Sequence, residues 1–327
     1  MGRLLLLLPP LLLLRAASVL AACSRQSLVE TNEEFFKAGA ANNTAGVKLA
    51  PNATIALNNK AISGLANSPF ADLKGFTNFT VAAVDVEKCQ IATLRVAQSQ
   101  VLSTRLKIDQ KGALTEVEFL QAFKGDHQFF NPPGFPSSAP TLWSKNQTAA
   151  SPPAIPSTWS PISGSPAKDV DTAKCKNHTG AARSLTRREL MYIAATYADG
   201  LKGEPWASCV PGGVPCVRNE NGVVTSQNCT VGLAPFNFLT RGRRWVVDTE
   251  TAVVLGTFYF DRNNIPPMTD PNLGPGAPVE SPDRGNSTKL FLHEYFKVEA
   301  GALAAIFAAM KYIPASQASA VTFAGEQ

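Results

Sequence analysis

Two stretches decide the fold: Leu106-Lys107-Ile108-Asp109-Gln110-Lys111-Gly112-Ala113-Leu114, and Phe296-Lys297-Val298-Glu299-Ala300-Gly301-Ala302-Leu303. Both read apolar-Lys-apolar-acid, then a short turn carrying Gly, then Ala-Leu. An apolar run follows each, Thr115-Glu116-Val117-Glu118-Phe119 in one and Ala304-Ala305-Ile306-Phe307 in the other. This is one β-hairpin written twice, with Gly supplying the backbone freedom that a tight turn requires. A motif that recurs at such a distance marks an internal repeat.

Working outward, each hairpin closes a segment that opens with a helix. Leu28, Asn32, Phe35, Phe36 and Gly39 recur at helical spacing in the first half, and Leu185, Leu190, Ile193, Ala194, Tyr197 and Leu201 in the second. Thr186-Arg187-Arg188-Glu189 forms a capping box at the second helix. Strand-like runs fill the interval: Phe79 to Asp85, Gln90 to Ala97, Arg244 to Asp248 and Ala252 to Phe260. The pattern predicts an α+β fold of tandem cone-shaped halves, each a curved antiparallel sheet packed on N-terminal helices. The boundaries expected are a first half over 23–130, a connecting segment over 131–180, a second half over 181–316 and a tail over 317–327. The connection is dense in Pro, Ser, Thr and Ala and shows no regular period, so it reads as extended chain. Trp143 and Trp159 within it imply that it is strapped onto a domain.

The first 22 residues have a basic start, a leucine run and a small-residue exit, Leu20-Ala21-Ala22. This is the pattern of a secretory signal peptide. Pro9, Pro10 and Arg15 break the apolar run short of a membrane span. Leu20-Ala21-Ala22-Cys23 also fits a bacterial lipoprotein signal, against which the sequons Asn42, Asn52, Asn78, Asn146, Asn177, Asn228 and Asn286 weigh. The expectation is a secreted, extracellular glycoprotein with no membrane attachment after cleavage. Its six cysteines, in such a compartment, favour disulfides over metal. Proximity favours Cys216 with Cys229. Cys23 and Cys89 share the first half, which leaves Cys175 with Cys209. There is no CxxC and the three histidines are scattered, so no metal site is expected. The net charge of +5 is spread along the chain, with no basic stripe for nucleic acid. No nucleophile elbow, P-loop or dinucleotide fingerprint occurs, and no cofactor is expected.

His293 to Gly301, with Cys23-Ser24-Arg25, Pro215-Cys216-Val217-Arg218-x-Glu220, Cys229-Thr230-Val231-Gly232 and Arg243-Arg244-Trp245-Val246-Val247-Asp248, resembles the nuclear transport factor two-like, or SnoaL-like, superfamily. More narrowly, the chain resembles an uncharacterised family of secreted fungal proteins with two such halves. The resemblance covers nearly all of the chain after the leader and rests mainly on the second half. It implies a fold and a secreted habit, not a reaction.

Alternation on the closing strand puts Leu290, Leu292, Glu294, Phe296 and Val298 on one face and Phe291, His293, Tyr295, Lys297 and Glu299 on the other. The first face is apolar apart from Glu294. A carboxyl in an apolar interior has its charged form disfavoured, which suits it to proton transfer. The competing reading pairs Glu294 with Arg243 or Arg244 as a structural ion pair. In the repeat, Thr104 stands opposite Glu294 and Ser103 opposite His293, so any chemistry belongs to the second half. His293 and Asp248 are the further catalytic candidates. Tyr197, Arg243, Arg244 and Asp261 are candidates for binding a ligand. Each has a plainer role: a satisfied surface or interface histidine, strand-end caps for Asp248 and Asp261, a core tyrosine, solvated arginines. Asp126-His127 reads as a turn, and Trp206 as packing under a disulfide loop. The function expected is small-molecule binding with acid–base catalysis open, a cofactor-independent lyase, isomerase or hydrolase. The alternative is a structural or interaction protein with a filled cavity.

Overall fold

The computed structural model describes residues 23–76, 80–135, 143, 155, 157, 159–162, 184–201, 216–229, 239–261, 288–318, 321 and 323. The leader, most of the connecting segment, the Cys175 to Cys209 pairing, Trp206, and the sequons at Asn78, Asn146, Asn177 and Asn286 lie outside the described residues.

The first half opens with helix α1 (Arg25–Ala40), started by Ser24, whose side chain accepts from the Ser27 amide. Strands β1 (Leu49–Leu57), β2 (Lys60–Ala61), β3 (Thr80–Asp85), β4 (Gln90–Ala97), β5 (Gln100–Ile108) and β6 (Leu114–Phe123) follow. They form one six-stranded sheet in the order β2-β1-β6-β5-β4-β3. The second half opens with helix α2 (Arg187–Gly200), and the expected Thr186–Glu189 capping box is present. Its strands are β7 (Val217–Glu220), β8 (Val223–Ser226), β9 (Leu239–Asp248), β10 (Val253–Asp261), β11 (Thr288–Glu299) and β12 (Ala302–Pro314). Their order, β8-β7-β12-β11-β10-β9, is the first sheet's order again.

The two hairpins therefore occupy the same place in separate sheets. Each carries a register shift at the same point, between Lys107 and Ile108 in one and between Lys297 and Val298 in the other. In one respect the sheets differ from the expectation. They are mixed, not antiparallel, because β1 runs parallel to β6 and β7 parallel to β12. Asn58 and Asn221, both at positive φ, turn the chain after these parallel strands. The side-chain oxygen of each accepts from a backbone amide of the neighbouring strand, Gln121 N–H and Met310 N–H, both at 2.9 Å. Asn tolerates the left-handed conformation because its short polar side chain bonds locally.

Both faces of each sheet are buried. One face packs with the half's own helix: Leu28, Phe35 and Phe36 of α1 join Ile91, Leu102, Leu106 and Phe119 in one cluster. Leu190, Ile193 and Tyr197 of α2 join Leu292, Phe296, Val298 and Ile306 in another. The opposite faces pack against each other, Leu94, Val96, Val101 and Leu120 meeting Val246, Leu255, Phe291 and Phe307.

That contact between halves is reciprocal. Asp85 accepts from the Val247 amide at 3.1 Å, and Asp248 accepts from the Val84 amide at 3.2 Å. Arg187 at the start of α2 pairs with Asp85, and Arg25 at the start of α1 pairs with Asp248, both at 2.8 Å. The continuations of the two hairpins are exchanged as well. Asn131 donates from its amide to Asn221 O at 2.8 Å, while Asn59 donates to Gln317 O at 2.6 Å. Trp143 is buried with its ring 4.7 Å from that of Phe307, so the connecting segment is strapped down there. Disulfides Cys23–Cys89 and Cys216–Cys229 form as expected.

Candidate functional site

Cross-strand neighbours share a sheet face, so the pairing registers define matching rows in the two halves. The row through Glu294 reads Trp245, Gly256, Glu294, Ala308 and Glu220 from β9 to β7. The matching row in the first half reads Ala82, Thr93, Thr104, Phe119 and Leu57. Both rows lie under their half's helix, and the starts of the helices align Phe35 with Tyr197. The register likewise aligns Ile55 with Arg218.

Four positions thus differ together. Phe35, Ile55, Leu57 and Thr104 in the first half become Tyr197, Arg218, Glu220 and Glu294 in the second. In the first half the place is filled: Phe35 sits against Phe70 and Phe119, with centroids 4.9 and 6.1 Å away. Thr104 bonds Thr93 at 2.8 Å. In the second half Glu294 is 1% exposed, and its Oε2 has no hydrogen-bond partner among the described residues. Burial pushes its carboxyl well above the ordinary range; the nearby Glu220 adds to the rise and Arg218 opposes it. Burial also raises Glu220, against the pull of Arg218. The Arg218 guanidinium lies 3.4 Å from Glu220, donates to Thr225 Oγ1 at 3.0 Å and donates to Cys229 O at 3.2 Å. The Cys216–Cys229 disulfide thereby helps hold Arg218 in place. Tyr197 is buried, and burial followed by the Glu294 charge drives its hydroxyl well above its ordinary range. Among the described residues, two buried carboxyls therefore share one guanidinium. With Arg218 nearer Glu220, burial favours the neutral form of Glu294 more than that of Glu220.

The other candidates do not join this cluster, apart from Tyr197. His293 is on the opposite face, between the halves, where Ser103 Oγ lies 2.8 Å from its Nδ1. Ser103 also bonds Tyr295 at 2.7 Å, and His293 Nε2 is 3.7 Å from Glu118, beyond hydrogen-bond reach. This superficially matches a nucleophile, base and carboxylate, yet all four side chains are buried between two sheets. Burial would raise Glu118, but Arg244 and Arg105 outweigh it and hold the carboxyl well below its ordinary range. Burial lowers His293. Arg244 pairs with Glu118, and Arg243 pairs with Asp199. Neither serves Glu294. Asp248 belongs to the reciprocal contact between halves. Asp261 pairs with Arg241 at 2.7 Å and Lys289 at 3.1 Å. Of the sequons that fall on described residues, Asn42 and Asn52 are exposed, while Asn228 is half-buried beside the Cys229 disulfide. No group of three or more metal-ligating side chains occurs among the described residues.

Comparison with known protein families places one boundary on this site. Residues 183–310 match a domain of unknown function, DUF8021. The matched domain spans α2 and carries Tyr197, Arg218, Glu220 and Glu294, the whole constellation, and stops short of the first half. None of the curated proteins compared matches the chain. Arg218 and Glu220 escaped the sequence reading as site residues. Their signal was the alternation Arg218-Asn219-Glu220 beside Cys216, which puts both charges on one face of a strand.

Proposed function

We propose that the second half binds a small organic molecule through Glu294, with Tyr197, Arg218 and Glu220 around it, and that Glu294 is the group able to move a proton. The observation that carries this reading is the buried Glu294 Oε2 without a partner, at a position where the duplicate half has a satisfied threonine. Leaving a polar group buried and unpaired costs on the order of 1–3 kcal/mol, a cost that a ligand group can remove. The helix-then-sheet plan of each half supports a SnoaL-like build. The leader and the two disulfides support secretion, and no helix among the described residues is long and apolar enough to cross a membrane.

A second reading is an interaction protein with a filled interior. It is favoured by the rings over Gly256, where an added Cβ would meet Trp245, Phe258 and Phe296 at 2.8, 3.0 and 3.2 Å. A thermal-shift screen of a metabolite library against the wild-type protein and Glu294→Gln separates the two. Binding predicts hits that stabilise the wild type and not the variant. The same hits on both proteins, or none on either, would favour the filled interior.

A further inference from the structure

The charge count around Glu294, together with the rings beside it, constrains the ligand further. Among the described residues, two carboxyls, Glu220 and Glu294, face a single guanidinium, and Arg218 lies within 4 Å of Glu220. Tyr197 is the other titratable group facing Glu294 among the described residues. Arg243, which acts on neither carboxyl, pairs with Asp199. Ionised, the cluster carries one negative charge too many, located on Glu294. The neighbouring position on β10 is Gly256, and ring-edge carbons of Trp245, Phe258 and Phe296 lie close over it. The ring of Tyr197 lies 5.6 Å from Phe296. A lone buried carboxylate beside aromatic rings is complementary to an organic cation, whose charge the carboxylate neutralises and the rings attract.

On the reading that Glu294 is a ligand-binding group, we infer that its ligand carries a protonated amine on an apolar body. The ammonium seats against Glu294 Oε2 and the apolar body against Phe258, Phe296 and Trp245. Binding then converts Glu294 from carboxylic acid to carboxylate, so one proton leaves the protein for each amine bound. Affinity for the amine rises with pH, by about tenfold per unit while free Glu294 remains protonated. A neutral oxygen ligand that pairs with the protonated acid releases no proton, so its affinity is independent of pH over that range.

Titration calorimetry with 2-phenylethylamine, and with 2-phenylethanol as its uncharged counterpart, tests this. It is run on the full chain at several pH values and in two buffers of different ionisation heat. The expected result is binding of the amine with release of one proton, weaker or absent binding of the alcohol, and a loss on the order of 100-fold in Glu294→Gln. Phe296→Leu should weaken the amine several-fold while leaving its dependence on pH unchanged. Melting curves of both variants confirm that each is folded. Binding of the alcohol alone, abolished in Glu294→Gln, overturns the ammonium assignment and leaves Glu294 as a binding group. Amine binding that persists in Glu294→Gln, or no binding of either probe at millimolar concentration, overturns the assignment outright.

Discussion

The two halves share a backbone and differ in what occupies its centre. Under α1, Phe35, Ile55, Leu57 and Phe119 complete an apolar core, and the one polar member, Thr104, is bonded to Thr93. Under α2 the same places hold Tyr197, Arg218, Glu220 and Ala308, with Glu294 in place of Thr104. A core can be completed by rings and hydroxyls alone, as the first half does, so the second half's charges are not required by the fold. Their burial is the ground for the ligand proposed above, since buried ionisable groups detract from stability unless paired.

The largest expected effect lies between the halves. Glu118→Ala leaves the buried Arg105 and Arg244 without their shared carboxylate and should destabilise the protein by about 3–5 kcal/mol. Denaturant unfolding checks this, and a loss below about 1 kcal/mol would show the shared carboxylate to be dispensable. Next comes the second half's covalent clasp. Replacing Cys216 and Cys229 by Ala should cost about 2–4 kcal/mol. Calorimetry should also show that Arg218, which leans on the Cys229 carbonyl, no longer supports binding.

Grafting one half's filling onto the other tests the comparison directly. Ala308→Phe puts the first half's Phe119 into the second and should cost about 1–3 kcal/mol by overpacking. It should also abolish any ligand-dependent rise in melting temperature. The smallest effect belongs to Glu294→Gln, expected to leave stability within about 1 kcal/mol of wild type or to raise it at neutral pH. The sign follows from linkage. The folded Glu294 holds its proton above the ordinary value of 4.5, so stability is full below that pH and is lost as pH rises toward the folded value. The variant should lose that part of the pH dependence. His293 acts oppositely: burial lowers it, so stability is lost as pH falls below about 6.5. Melting curves of His293→Gln across that range should be flatter than those of the wild type.

Much of this was legible in the sequence, for definite reasons. The hairpins, the faces of β11 and the two disulfides follow from local periodicity and spacing. The parallel strands β1 and β7 were not read. Val217–Glu220 has four residues, and its partner on β12 lies some ninety residues away, so no local pattern announces it. Without β7, nothing places Arg218 and Glu220 on a common strand face, and they are two of the cluster's four members. Alternation assigned Glu294 and His293 to opposite faces. It did not reveal that His293's face is also buried, because what covers a sheet face comes from the far end of the chain.

That dependence has a consequence for biosynthesis. All of the first half's strands have been made by residue 123, but Val81, Leu94, Val96, Val101 and Leu120 are covered by residues from 246 onward. While the chain is still being made, the first sheet presents an apolar face to its surroundings for the length of another domain. Such exposure invites aggregation and chaperone capture. A truncated product ending before β9 would be sticky even with every first-half residue intact.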